Sequence, residues 1–153
     1  MENNYIFRYW DAIQNGTVTV GEWIRTIYKI LVDGLKSGKW DFDGEKADKA
    51  ITFIENFCHH SEGRNDLLKL ELWQKAIVSA IFGIMDKKTG YRQFREVFVV
   101  VARKNGKTLF AAAIAAYMAY IDGEYGAKVY FLAPKLDQAD LVYDAFYQIV
   151  QAD

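Results

Sequence analysis

The chain reads as an α/β protein: a set of N-terminal helices, then strand, helix, strand, helix, the opening of a parallel sheet. Three observations predict this. Apolar residues recur at steps of three and four through the first half. Two short strand-like apolar runs follow, at residues 94–102 and 128–133. Between the first run and a thirteen-residue apolar stretch at 109–121 lies Ala102-Arg103-Lys104-Asn105-Gly106-Lys107-Thr108. A chain of 153 residues that is 52% apolar and 16% aromatic has material for a proper core.

The elements follow in order. Thr19-Val20-Gly21-Glu22 has capping-box spacing, and Val20, Trp23, Ile24, Ile27, Tyr28, Leu31 and Leu35 then share one helical face, with Gly38 closing the helix. Asp43 is an N-cap for the next helix, where Ala47, Ala50, Ile51, Ile54, Phe57 and Cys58 keep the same period up to a polar loop at 59–65. A further helix carries Trp73, Ile77, Ala80, Ile81 and Ile84 and ends near a turn at 86–90. From there the period changes. Residues 94–102 and 128–133 read as strands, 109–121 and 136–150 as helices, and such alternation implies parallel strands. The alanines of the first of these helices (Ala111, Ala112, Ala113, Ala115, Ala116, Ala119) let it lie close to a sheet. No Pro- or Gly-rich linker divides the chain, so a boundary between a helical region, 1–65, and an α/β region, 66–153, is soft and falls near 62–68.

The loop at 102–108 carries the chemistry. A strand that ends in a tight turn at Gly106 and feeds a helix aims free backbone N–H groups and a positive dipole end at the turn, where an anion belongs. Lys107 can reach β- and γ-phosphate oxygens, the Thr108 hydroxyl suits Mg²⁺, and the ligand expected is Mg·ATP. The usual pattern opens with glycine, and Val101 stands in its place. Arg103 can lie against the γ-phosphate and neutralise charge that spreads over it during transfer; a salt bridge that stiffens the loop is its bland alternative.

These residues resemble a known family. The loop, with Leu70-Glu71-Leu72-Trp73-Gln74 upstream and Val129-Tyr130-Phe131-Leu132-Ala133-Pro134 and Asp137-Gln138-Ala139 downstream, is similar to the large terminase subunit of tailed bacteriophages. The resemblance implies the first βαβα of a P-loop NTPase sheet of the additional-strand (ASCE) type, incomplete in this chain, and an ATPase motor that moves double-stranded DNA into a procapsid. It makes Val101 an expected departure, because the family's loop lacks the first glycine and carries an arginine at the position of Arg103. It assigns Lys107 and Arg103 to catalysis, and Gln74, Lys104, Asn105, Gly106, Lys107, Thr108 and Leu109 to the nucleotide, with Thr108 on Mg²⁺. Spacing alone reads Trp73 as core and Gln74 as surface; the resemblance assigns Gln74 to adenine. The partners implied are double-stranded DNA, the small terminase subunit, the portal protein and further copies of the chain, in the host cytoplasm. The carboxylates that complete hydrolysis, and a nuclease domain, are expected beyond residue 153, which would leave this segment marginally stable and inactive alone. A helicase-like translocase and a non-catalytic assembly module with a degenerate loop are the competing readings.

Composition bounds the rest. Nineteen basic against twenty acidic residues give a net charge of −1, so the whole chain carries no nucleic-acid footprint. Between residues 86 and 108, however, seven basic residues face two acidic ones, a balance that suits phosphate. The single cysteine, Cys58, forms no intramolecular disulfide and fits a reducing cytoplasm, and no apolar run is long enough to span a bilayer. Cys58-His59-His60 are three candidate ligands in a row, which cannot converge on one ion. Lys135 and Gln138, at the start of the last helix, are further site candidates.

Overall fold

The computed structural model describes residues 4–60 and 66–151. They fall into two compact units, Met1–Ile51 with Leu70–Phe98, and Thr52–Lys69 with Val99–Asp153. The soft boundary expected near 62–68, like most of the polar loop at 59–65, lies largely outside the described residues.

In the first unit α1 (Tyr5–Gln14) packs on α2 (Glu22–Lys36) and on α4 (Leu72–Gly83). Asn4 starts α1, its Oδ1 accepting the Ile6 N–H at 3.0 Å. Ile6, Tyr9 and Ile13 then fall on one face and meet Tyr28, Leu31, Val32, Ala76 and Ile84 in a buried core. Tyr9 and Tyr28 pack edge to face with centroids 4.7 Å apart. Gly38 closes α2 as expected: at φ +70 it lets its own N–H reach the Leu35 carbonyl and that of Lys39 reach Gly34, a Schellman ending. Gly34 is required for a second reason, since a Cβ there would stand 2.6 Å from Cε3 of the Trp40 ring.

The start of α2 differs from expectation. Its N-cap is Gly21, with no side-chain bond, in place of the Thr19 box. Of the expected apolar face, Tyr28 and Leu31 are buried and Leu35 half-buried, but Trp23 is 82% exposed and Ile24 and Ile27 are exposed too. The apolar arc is wider than the surface α1 covers, and periodicity does not say which flank finds a partner.

Asp43 caps α3 (Gly44–Phe57) as expected, Oδ1 accepting the Lys46 N–H at 3.0 Å. Ala47, Ala50, Ile51, Ile54 and Cys58 are buried, while Phe57 is exposed. The α4 helix is covered on most of its circumference: Gln74, Ala76, Val78, Ser79, Phe82 and Gly83 are buried, and the expected face of Trp73, Ile77, Ala80 and Ile81 is half-buried. Ile84 has left the helix for a short strand. That strand, β2 (Ile84–Met85), pairs antiparallel with β1 (Asp41–Phe42) in the register Asp41 to Met85 and Phe42 to Ile84.

In the second unit α5 (Lys107–Tyr120) packs against α6 (Leu136–Gln151). Ala112, Ala113, Ala115 and Ala116 are buried, so the small residues bring α5 close to its neighbours. Phe53 of α3 packs on Tyr117 at 5.8 Å, and Phe146 of α6 lies 5.7 Å from Phe131 and 6.2 Å from Tyr120.

The two expected helices of the βαβα are thus present, and its two strands are not. Among the described residues the only sheet is the β1–β2 pair, so the chain is mixed α and β with helices dominant. Residues 94–102 and 128–133 form no ladder with any described segment, and a strand exists only with a partner to exchange its hydrogen bonds. Ala127, Val129 and Phe131 are half-buried while Lys128, Tyr130 and Leu132 between them are exposed, whereas residues 95–100 are all exposed.

The buried aromatic pair makes the first unit sensitive to alkali. Burial, and then the neighbouring Tyr9, hold the Tyr28 phenol well above its ordinary value of 10.0. A pKa raised by folding gives stability that is complete below the unfolded value and is lost as pH rises through the folded one. Tyr28→Phe, which has no phenol proton to lose, is expected to move the alkaline unfolding midpoint upward above about pH 10 in a circular dichroism titration; an unmoved midpoint would refute this account.

Candidate functional site

The loop ahead of α5 is wound by two left-handed residues. Lys104 and Gly106 both have φ +65, and Gly106 is the N-cap of α5. Gly106 supplies no side chain, and its carbonyl accepts the Phe110 N–H at 2.9 Å as the first bond of the helix. The N–H groups of Lys107, Thr108 and Leu109 therefore have no intrahelical acceptor and lie at an exposed helix start. Val101 needs no glycine-like backbone, since among the described residues Lys104 alone combines a side chain with positive φ.

Two side chains fix the loop from inside. Lys107 Nζ donates to the Val101 carbonyl at 2.7 Å and to the Ala102 carbonyl at 3.3 Å. Asn105 Nδ2 donates to the Ala102 and Arg103 carbonyls, each at 3.2 Å. An ammonium has three N–H donors, so Lys107 keeps one for a ligand while the other two tie the helix start to the incoming chain. Arg103 and Lys104 are exposed, and no described carboxylate lies within ion-pair distance of either. The loop thus offers a row of amide donors, one anchored ammonium and two unpaired cations, an arrangement suited to a polyanion such as a nucleoside triphosphate. The exposed Thr108 hydroxyl is a hard oxygen donor on the same turn and fits a Mg²⁺ that takes its other ligands from phosphate and water.

The other candidates separate from this group. Gln74 belongs to the first unit and the loop to the second. It is 7% exposed, and it closes a reciprocal capping box: its Oε1 accepts the Glu71 N–H at 2.8 Å, and the Glu71 carboxylate accepts the Gln74 N–H. Trp73 packs on the first unit's core. Lys87 pairs with Asp41 at 3.4 Å, and the carboxyl of Asp86 is held below the usual range, first by the Thr89 N–H at 2.7 Å. These two are parts of a turn. Lys135 and Gln138 sit at the exposed start of α6, where the Lys135 carbonyl accepts the Gln138 N–H. Cys58 is buried, and among the described residues no three His, Cys, Asp or Glu side chains gather as a metal site. The reading of the sequence missed the Val101 and Ala102 carbonyls as the seat of Lys107; the five- and six-residue spacing back from Lys107 is the only signal of them.

Comparison with known families decides what this loop belongs to. The family model for the ATPase domain of the terminase large subunit matches residues 72–153, just over half of the chain. The chain belongs to that family. No curated protein and no solved structure shows significant similarity to it. The match begins at α4 and takes in the loop and both following helices, so the terminase ATPase assignment covers the group of residues assembled above. An ATPase domain binds nucleotide, and among the described residues no helix is long and apolar enough to cross a membrane.

The Gln74 cap can be tested without any nucleotide. Gln74→Ala is expected to lower the stability of the nucleotide-free chain by about 1 kcal/mol, the worth of a capping bond, seen as an earlier urea midpoint. An unchanged midpoint would mean that the side chain is held for a ligand alone.

Proposed function

We propose that the chain is the nucleotide-binding front of a DNA-packaging motor, which binds Mg·ATP at residues 103–109 and, in the working protein, hydrolyses it to move double-stranded DNA into a procapsid. The observation that carries the proposal is the anchored Lys107, with two N–H bonds on the Val101 and Ala102 carbonyls beside an uncapped helix start. Lys107 and the amides of Lys104 to Leu109 hold the phosphates, and Thr108 holds the Mg²⁺, which when bound screens the phosphate charge. Asn105 and Gly106 keep the loop in shape. Arg103, with no carboxylate partner among the described residues, turns to the γ-phosphate during hydrolysis. Gln74, which the resemblance gives to adenine, has its Oε1 engaged in the α4 cap and keeps its Nε2 amine as a donor. Small subunit, portal and further copies of the chain are the partners this function requires, in the cytoplasm of the infected host.

Lys107→Ala is expected to abolish ATP binding measured by titration calorimetry, because it removes both the ammonium and the clamp on the loop. Unchanged affinity would remove the phosphate-loop reading. For Arg103→Ala in the complete motor, the expected result is ATP affinity within about tenfold of wild type and turnover lower by roughly a thousandfold, the scale for an arginine that stabilises phosphoryl transfer. Normal turnover would reduce Arg103 to a loop-stiffening residue.

A further inference from the structure

The last helix carries an exposed face of unusual make-up. From Leu136 to Gln151, α6 holds three acidic residues, Asp137, Asp140 and Asp144, and no lysine or arginine. All three are exposed, and none has an ion-pair partner among the described residues. Helical spacing sets them beside Leu136, Tyr143 and Tyr147, on the side opposite the buried Ala145 and Ile149. Leu136 is 75% exposed, and the rings of Tyr143 and Tyr147, exposed as well, stack 6.2 Å apart. A helix face that leaves apolar and aromatic groups open marks an interaction site. Its charge repels the phosphates of nucleic acid and calls for a basic partner.

The first unit presents such a partner surface. Lys36 and Lys39 flank Gly38 at the end of α2, and Lys87 Nζ stands 3.4 Å from where a Cβ on Gly38 would lie, so the turn at 86–90 meets them there. Lys39 Nζ sits over the Trp40 ring at 4.8 Å, and Trp40 packs on Phe94, beside Arg95, at 5.6 Å. Lys36, Lys39, Lys88 and Arg95 are exposed, without an ion-pair partner among the described residues. The acids around them are spent: Asp33, Asp41 and Asp43 pair with Lys29, Lys87 and Lys46, and Asp86 accepts the N–H groups of Lys88 and Thr89. Only Glu96, next to Arg95, opposes the cations in this stretch. Tyr91, 71% exposed, adds aromatic surface between them.

We infer that the acidic face of α6 on one copy of the chain docks on the basic face of the first unit of a second copy. The two faces comprise different residues, so the contact is heterologous: copies join head to tail, into a ring where the rotation closes. The motor proposed above requires further copies, and this contact says where they touch; it uses neither Lys107 nor the loop. Complementary charge steers the encounter and fixes the register, while Leu136, Tyr143, Tyr147 and Tyr91 supply apolar burial.

Sedimentation velocity on the whole chain tests this with the wild type, an α6 variant (Asp140→Lys with Asp144→Lys), a first-unit variant (Lys39→Glu, Lys88→Glu and Arg95→Glu) and an equimolar mixture of the two variants. The wild type should associate at about 50 mM salt, with affinity lower by at least about tenfold at about 0.5 M, where exposed charges are screened. Each variant alone replaces attraction with repulsion and should stay monomeric where the wild type associates. The mixture should associate again, because each reversed face then meets one of opposite sign; a misfolded variant would not be rescued in this way. Affinity for Mg·ATP should be unchanged in both variants. A monomeric wild type at low salt would overturn the inference, as would association undiminished in either variant or a mixture that stays monomeric. Loss of wild-type association on adding Mg·ATP would also overturn it, by giving α6 to the cations of the loop. So would a first-unit variant that associates normally but binds a double-stranded DNA probe less well, which would give these cations to the DNA backbone. If Lys107→Ala leaves ATP affinity unchanged while mixing restores association, the phosphate-loop reading falls and this contact stands.

Discussion

Everything in the second unit that bears on chemistry depends on one side chain tying a helix to the segment that precedes it. Lys107 is the first residue of α5, and its ammonium returns to the carbonyls of Val101 and Ala102. That bond closes the loop over five intervening residues and fixes the direction in which the free amides of the helix point. Asn105 braces the loop too, on the carbonyls of Ala102, which it shares with Lys107, and Arg103. The left-handed turns that make such a closure sterically feasible fall at positions 104 and 106, not at 101, and this is why valine can stand where the usual pattern has glycine.

The helices and their stops were legible because their causes are local. Gly38 ends α2 through bonds to residues three and five positions back, and Asp43 opens α3 through a bond three positions ahead, distances a sequence reading can see. The errors arise where the cause is a neighbour. An apolar arc on α2 announces burial, yet only the flank under α1 is covered and Trp23 remains open. The α4 helix is apolar enough to be enclosed, and no single stripe describes it. The cap at its start joins Glu71 and Gln74 at i to i+3 spacing, a local cause of the same kind as those at Gly38 and Asp43.

The strands fail for a reason of the same kind, at longer range. Residues 127–132 alternate in exposure, but a strand also needs a partner that its own sequence cannot specify. The loop is the opposite case. All of its residues from Arg103 to Leu109 are contiguous, so sequence order already brings them together, and only the carbonyls that receive Lys107 had to come from the coordinates.

The helix starts themselves distinguish α5 from every other helix among the described residues. Asn4 caps α1, Glu22 lies in the first turn of α2, Asp43 caps α3, Glu71 caps α4, and Asp137 lies in the first turn of α6. Each places a polar oxygen or a negative charge where the helix dipole is positive, which is worth roughly 0.3–1 kcal/mol at a surface. The start of α5 has neither. It carries no acidic residue in its first turn, no side-chain cap, and a lysine as its first residue, with Arg103 and Lys104 just before it. In the empty chain three cations and a positive dipole end repel one another, opposed by the carbonyl bonds of Lys107 and Asn105. A bound polyanion adds attraction to each of these positive groups and offsets their mutual repulsion, so the loop is least stable by itself in the respect in which it is best suited to a polyanion.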